Sequence, residues 1–198
     1  MIMNKNFNHR VLDILLGSQT RSRALRFFFR HENEAFRIGE VAKAISQNYN
    51  TTASFVEELT EAGILKQVKG SGGGTFYGVA IDFRSYPQIK ELVLQTFPIA
   101  LPEVVEAIKK TGRIRLALIG GIFLGQEGSS IDLFIVADDM DKEKFTEFIK
   151  DLEGDVGKDI NYTLMDTPEF TYRYNIYDRF VRNLLKKQNI KLVDNLSL

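Results

Sequence analysis

Apolar residues recur at helical spacing through the first third of the chain and then change period. In Gln19–Arg30 the set Ala24, Leu25, Phe28 and Phe29 falls on one side of a 3.6-residue turn, which predicts a helix opened by Ser18 or Thr20. Ile38–Ile45 places Val41, Ala42 and Ile45 on one side and predicts a second, short helix. After polar Gln47–Asn50, Thr51–Ala62 repeats the pattern with Phe55, Val56, Leu59 and Ala62, and Gly63 ends it. Leu65–Lys69 and Thr75–Val79, parted by Gly70–Gly74, then predict the two strands of a hairpin.

The pattern shifts again beyond residue 80. Asp82–Tyr86 runs into Pro87, which predicts a break, and Ile89–Phe97 and Ile99–Lys110 predict helices punctuated by Pro98 and Pro102. Ile114–Ile119 predicts a strand, Gly120-Gly121 a turn, and Ile131–Val136 a second strand. Phe145, Phe148, Ile149 and Leu152 stand at i, i+3, i+4 and i+7, a helix with Asp141 as its cap. Ile160–Met165 predicts a strand; Thr167 is the expected cap of the next helix, with Pro168 at its first position. Asp178–Lys187 predicts a helix with Phe180, Val181, Leu184 and Leu185 inward, and Ile190–Val193 a closing strand. This order predicts an α+β chain in three parts: 1–84, a helical connector 85–112, and 113–198 with a small mixed sheet.

Composition narrows the chemistry. The chain has 198 residues, and its 44% of hydrophobic residues argues against wholesale disorder. It has no cysteine, which excludes disulfides and thiolate metal sites, and only His9 and His31, which argues against a histidine-rich zinc site. No apolar run approaches the roughly 18 residues of a membrane span, and the first eight residues carry no apolar export core, so a cytoplasmic protein without a membrane partner is expected. Lys plus Arg and Asp plus Glu both total 26. That zero hides an asymmetry: residues 1–97 hold 12 basic and 9 acidic residues, residues 98–198 hold 14 and 17. The first 30 residues carry six cations against Asp13 alone.

Helix, short helix, turn, helix and hairpin, in the stretch from Gly17 to Val79, resemble the small prokaryotic winged helix-turn-helix regulators, and Glu61-Ala62-Gly63-Ile64-Leu65 is similar to their usual end of the recognition helix. The resemblance implies double-stranded DNA as partner, read by the third helix in the major groove with the hairpin at the adjacent backbone. Base contacts would fall to Asn48, Asn50, Thr51, Thr52 and Ser54. Phosphate contacts would fall to Arg21, Arg23, Arg37, Lys43, Lys66 and Lys69, with Ser71 at the wing tip. Winged helices also serve as protein-interaction modules, and the third helix carries Glu57, Glu58 and Glu61 rather than cations, so a protein partner stays open beside DNA. Gly70-Ser71-Gly72-Gly73-Gly74 lacks the following Lys-Ser or Lys-Thr and helix of a phosphate loop; strand-like Thr75-Phe76-Tyr77 follows, as for a flexible wing tip.

The run "ALIGGIFLGQEGSSIDLFIV" is similar to the core of the minimal nucleotidyltransferase domain of the polymerase-beta superfamily, and the stretch after it looks like the tail of proteins that fuse such a domain to a winged helix. The family pattern is a strand, Gly-Ser, an Ala-Arg-Gly, and Ser-Asp-x-Asp on the next strand. Gly120 matches the glycine, Gly121 stands in place of the serine, Leu124 in place of the arginine, and Gly125 matches; the loop that follows is two residues short. Ser130 occupies the first aspartate position and Asp132 keeps the second, while Ile160–Leu164 offers no third carboxylate. Two-metal phosphoryl transfer needs two or three carboxylates to hold Mg²⁺ against a triphosphate. Gly120, Gly121, Gly125, Ser130 and Asp132 therefore read as a vestigial nucleotide site without catalytic residues, metal or cofactor, in a domain left for sensing, dimerisation or partner binding.

Two other readings stay open. An active, antitoxin-like nucleotidyltransferase would have to rebuild its site from Asp132 with Asp159, Asp166 or Glu127. A pure interaction scaffold would use the same surfaces for proteins alone. A homodimer is expected, because paired half-sites mirror paired subunits. Tyr162, Tyr172, Tyr174 and Tyr177 either line a pocket or pack against a neighbour.

Overall fold

A computed structural model describes residues 10–70, 73–126 and 128–196, and the fold is α+β. The chain divides into two compact units. Among the described residues, the N-terminal unit holds 10–98 together with 150–159, and the C-terminal unit holds 99–149 with 160–196. The connector expected at 85–112 is thus shared between the two.

The N-terminal unit opens with α1 (Val11–Leu16), a helix the sequence pattern does not disclose because six residues are too few to show a period. It continues with α2 (Gln19–Arg30), α3 (Ile38–Ala44) and α4 (Tyr49–Glu61). A hairpin of β1 (Leu65–Lys69) and β2 (Thr75–Val79) follows, antiparallel with Gln67 opposite Tyr77. An isolated bridge from Phe36 to Tyr77 adds the residues before α3 to the edge of that hairpin. Then comes α5 (Tyr86–Gln95). Pro87, expected to break the chain, lies instead in the first turn of α5, where its missing N–H costs no hydrogen bond.

Phe28, Phe29, Val41, Ile45, Val56 and Leu65 are each 2% exposed or less and form the centre of one apolar core, joined by Leu12 of α1 and Val93 of α5. Asn48 opens α4 because its side-chain oxygen accepts the amide protons of Asn50 and Thr51 at 2.9 and 3.4 Å, two donors that would otherwise have no intrahelical partner.

The C-terminal unit contains α6 (Leu101–Lys109) and a four-stranded mixed sheet ordered β5-β4-β3-β6. The strands are β3 (Arg113–Ile119), β4 (Leu133–Asp138), β5 (Tyr162–Met165) and β6 (Ile190–Asp194). β3 pairs antiparallel with β4 and β6, and β4 pairs parallel with β5. The central strands β3 and β4 are buried on both faces, which is why they read as unbroken apolar runs rather than alternating ones. Leu116, Leu118, Phe134 and Val136 face a cluster completed by Phe170 of α8 (Thr167–Asn175) and by Val181 and Leu184 of α9 (Arg179–Lys186). Asp166, not the expected Thr167, caps α8, accepting from the Glu169 amide at 2.7 Å; Thr167 instead donates to Asp138. α7 (Lys142–Val156) gives its first turns to this unit and its last turns to the N-terminal one.

Candidate nucleic-acid interface and the glycine turn

The start of α4 is held open to solvent. Thr20 Oγ1 donates to Gln47 Oε1 at 2.7 Å, fixing the turn ahead of the helix, and Tyr49, Asn50, Thr51 and Ser54 are exposed. Arg37, at the entrance of α3, is exposed; its guanidinium lies 5.1 Å over the Phe76 ring of β2, and its amide donates to Glu40 at 2.8 Å. Lys43 of α3 and Lys66 and Lys69 of β1 are also exposed. Arg37, Tyr49, Gly74 and Thr75 border one open groove. Tyr49, 55% exposed, is a residue the apolar period does not single out, because that period starts the helix two residues later.

Two of the expected contacts, those of Arg23 and Thr52, are corrected. Arg23 is 1% exposed and is a strut. Its Nε donates to Asp155 at 2.8 Å, its Nη2 to Asp151 at 2.6 Å and its Nη1 to the Ile45 carbonyl at 3.1 Å. A guanidinium with these donors spent in a dry site has none for a phosphate. Thr52 is fully buried, with its hydroxyl donating to the Asn48 carbonyl, so it does not meet a base edge. Asn48 is exposed, but its oxygen is engaged as the α4 cap. Arg21 is partly exposed and donates twice to Glu58, at 3.0 and 2.7 Å, with its guanidinium 5.0 Å over Phe55. Ser71 lies outside the described residues.

The early cations therefore have an internal explanation. Arg23, Arg26 and Arg30 stand three and four residues apart along α2 and address the end of α7. Asp155 accepts from Arg10 at 2.6 Å as well as from Arg23, and Arg30 Nε donates to the Val156 carbonyl at 2.7 Å. Burial pushes the Asp155 carboxyl up, against the opposing pull of Arg23 and Arg10. Burial also lowers the Arg26 guanidinium to about 10; its Nε has no partner among the described residues, and its bonds to the carbonyls of Asp155 and Phe97 are long, at 3.4 and 3.5 Å. Gly157 lets the chain leave α7 against the backbone of α2: its φ is +78°, and a Cβ there would lie 2.6 Å from the Phe27 nitrogen. A signal is present in the sequence, since Asp151 and Asp155 are four apart and form the acidic match to the arginine stripe.

In the C-terminal unit, β3 ends in a single 3-10 turn, Gly121–Leu124, closed by Gly125 in the left-handed region at φ +72°. Asp132, 4% exposed, fastens this turn. Its Oδ1 accepts from the Ile122 amide at 2.8 Å and its Oδ2 from the Asn161 amide at 3.0 Å. Gly121 has φ +51°, and a Cβ there would overlap Asp132 Oδ1 and sit 2.8 Å from Ser129 Cβ. The place a serine would fill is occupied by the carboxylate.

A cleft of about 190 Å³ adjoins the turn, lined by Gly120, Gly121, Ser130 and Asp132 and also by Asn183 and Lys187 of the α9 region. No motif spacing points to these last two, because they come from a distant segment. Lys187 Nζ donates to Ser130 Oγ at 3.3 Å. Of the other candidate carboxylates, Asp166 is the α8 cap, Asp159 belongs to the N-terminal unit, and Glu127 lies outside the described residues. Among the described residues, no three His, Asp or Glu side chains are grouped to share a metal ion, and no helix is long and apolar enough to cross a membrane. No family model, curated protein or solved structure matches this chain.

Proposed function

We propose that the chain is a DNA-binding regulator whose N-terminal unit is a winged helix-turn-helix and whose C-terminal unit is a nucleotidyltransferase-like fold without transfer chemistry. The observation that carries the DNA reading is the solvent-exposed first turn of α4, where Tyr49, Asn50, Thr51 and Ser54 stand clear of the core. Exposed Arg37, at the entrance of α3, borders the same groove as Tyr49, and Lys43 of α3 and Lys66 and Lys69 of the hairpin are also exposed. Polar groups of this kind read base edges, while the four cations set register on phosphates. The bridge from Phe36 to Tyr77 supports the same reading, since it ties the entrance of α3 to the hairpin that acts as the wing.

The loss of transfer chemistry is supported by Asp132. Both of its oxygens are taken by backbone amides, so the one carboxylate left in the motif acts as a brace for the glycine turn. Its cleft is left for a ligand or partner. A homodimer accords with the exposed Val11, Ile14 and Leu15 of α1.

Fluorescence anisotropy with genomic fragments and random duplex tests the reading. Sequence-selective binding that weakens steeply with salt is the expected result; no binding at low salt, or equal affinity for every duplex, overturns it. Label transfer from α-labelled ATP with Mg²⁺ to a protein, abolished by Asp132→Ala, would establish the active-transferase alternative in its place.

A further inference from the structure

The C-terminal half is acidic as a whole, yet residues 173–191 hold six basic residues against Asp178 alone. Asp178 is spent as the cap of α9, accepting from the Val181 amide at 3.1 Å. Arg173 and Lys191 are held by Glu169 and Asp194, each at 2.7 Å. Arg179, Arg182 and Lys186, at helical spacing on α9, are exposed and make no ion pair among the described residues.

Aromatic rings stand among these cations. Tyr177, in the turn between α8 and α9, is 75% exposed, the most open large apolar side chain among the described residues. Arg182 lies 5.7 Å from its ring centre, which steadies the ring and leaves the opposite face free. Tyr172 on α8 and Ile176 at its C-cap are 65% and 54% exposed, and Phe180 is 37% exposed. The backbone at Tyr177 has φ +56°, a left-handed conformation in which asparagine or glycine is at ease and a bulky residue is not. The fold thus keeps an aromatic ring in water at a position where local backbone preference favours another residue.

We propose that this face of the C-terminal unit binds single-stranded nucleic acid, with Tyr177 as a stacking platform for a base and Arg179, Arg182 and Lys186 on the phosphates. Cations alone fit any polyanion. Open rings set between them fit a strand whose bases are unstacked, because every base offers a π face and a duplex hides it. This surface belongs to the C-terminal unit and α4 and the hairpin to the N-terminal one, and the proposal stands or falls apart from the duplex reading.

The test uses the full chain and a fluorescein-labelled mixed-sequence strand of about 16 nucleotides, with the matching duplex beside it, at about 50 mM salt. Tyr177→Asn removes the ring without backbone cost and is expected to weaken strand binding about tenfold. Tyr177→Phe keeps the ring and is expected to bind like the parent. Arg179→Gln with Arg182→Gln lowers both the affinity and the slope of its salt dependence, by about 0.7 for each phosphate no longer neutralised. Lys66→Gln with Lys69→Gln weakens duplex binding alone. Absence of strand binding overturns the proposal. So does equal binding by Tyr177→Asn and parent, which would leave only charge. Displacement of the strand by poly-glutamate or anionic vesicles at equal charge also overturns it, and marks the face as a dock for acidic proteins or membranes.

Discussion

Arg23 gives Nε to Asp155 and Nη2 to Asp151 from a position 1% exposed, so truncation leaves the buried Asp155 carboxylate short of a donor. Arg23→Ala is expected to cost about 3–5 kcal/mol in urea unfolding. At a concentration where the variant is still folded, its duplex affinity should match the parent. A large drop in affinity in the folded variant would return Arg23 to the DNA surface. Gly121 makes the opposite point. Restoring the family's serine there by Gly121→Ser puts a Cβ into the Asp132 carboxylate at a left-handed φ, and we expect destabilisation of about 1–3 kcal/mol with no gain of nucleotide transfer. A soluble, fully stable Gly121→Ser protein that transfers label from ATP would refute the bracing role of Asp132. In the sequence Arg23 carries a charge and Gly121 a motif position, and neither shows its place in the fold. Burial decides their roles, and a residue type does not encode burial when its partner lies more than a hundred positions away, as Asp155 does from Arg23.

At the scale of elements, the apolar pattern locates α2, the hairpin strands and β3 to within a residue or so, helped by the unbroken core run of β3 and the glycine-rich stretch between the hairpin strands. It misses α1, and it places the start of α4 two residues late, at the turn where Asn48 and Tyr49 matter most. Caps are set by side-chain hydrogen bonds, and the apolar pattern is silent there. Between α4 and α2, the exposed pair of Glu58 with Arg21 engages a cation and sets a carboxylate on α4, the helix proposed to read DNA. Glu58→Gln should therefore raise duplex affinity severalfold and steepen its salt dependence; unchanged affinity would show that this face of α4 stays clear of DNA.

After the end of α2, Glu32 accepts from Lys90 of α5 at 2.6 Å and also from the Tyr86 hydroxyl. The bonds from Lys90 and then Tyr86 hold the Glu32 carboxyl below its ordinary 4.5, and the bond to Glu32 raises Lys90 above its ordinary 10.5. On acidification the unfolded chain takes up the proton first. The contribution of Glu32 is therefore complete above 4.5 and lost as pH falls through the lower folded value; that of Lys90 is lost only as pH rises through its raised value. Glu32→Gln should cost about 0.5–1 kcal/mol at neutral pH. The gap between variant and parent should close as pH falls below 4.5 and through the lower folded value, as measured by denaturant titration across pH. A gap that stays constant would remove this ion pair from the stability of the α2–α5 pair.

At the scale of the whole molecule, the N-terminal unit is discontinuous. Arg23, Arg26 and Arg30 all bond to groups within residues 151–156, and Leu152 and Val156 are buried. A fragment ending at Pro98 would leave those cations in an opened site, so we expect residues 1–98 to be poorly folded by circular dichroism and to lack the duplex affinity of the full chain. A stable, DNA-binding fragment would show that 150–159 is dispensable. The sequence pattern divides the chain at 84 and 112, because a period reports which face of an element is buried and not which distant segment covers it. This arrangement also bears on how the protein is made. A ribosome adding about 5–20 residues per second needs roughly 3–12 seconds to pass from residue 98 to residue 159. During that interval Arg23 of α2 lacks the Asp151 and Asp155 carboxylates that meet it in the finished fold. On the proposed DNA-binding reading, the N-terminal unit is completed late in synthesis, so a nascent or prematurely ended chain would have no finished surface with which to occupy an operator.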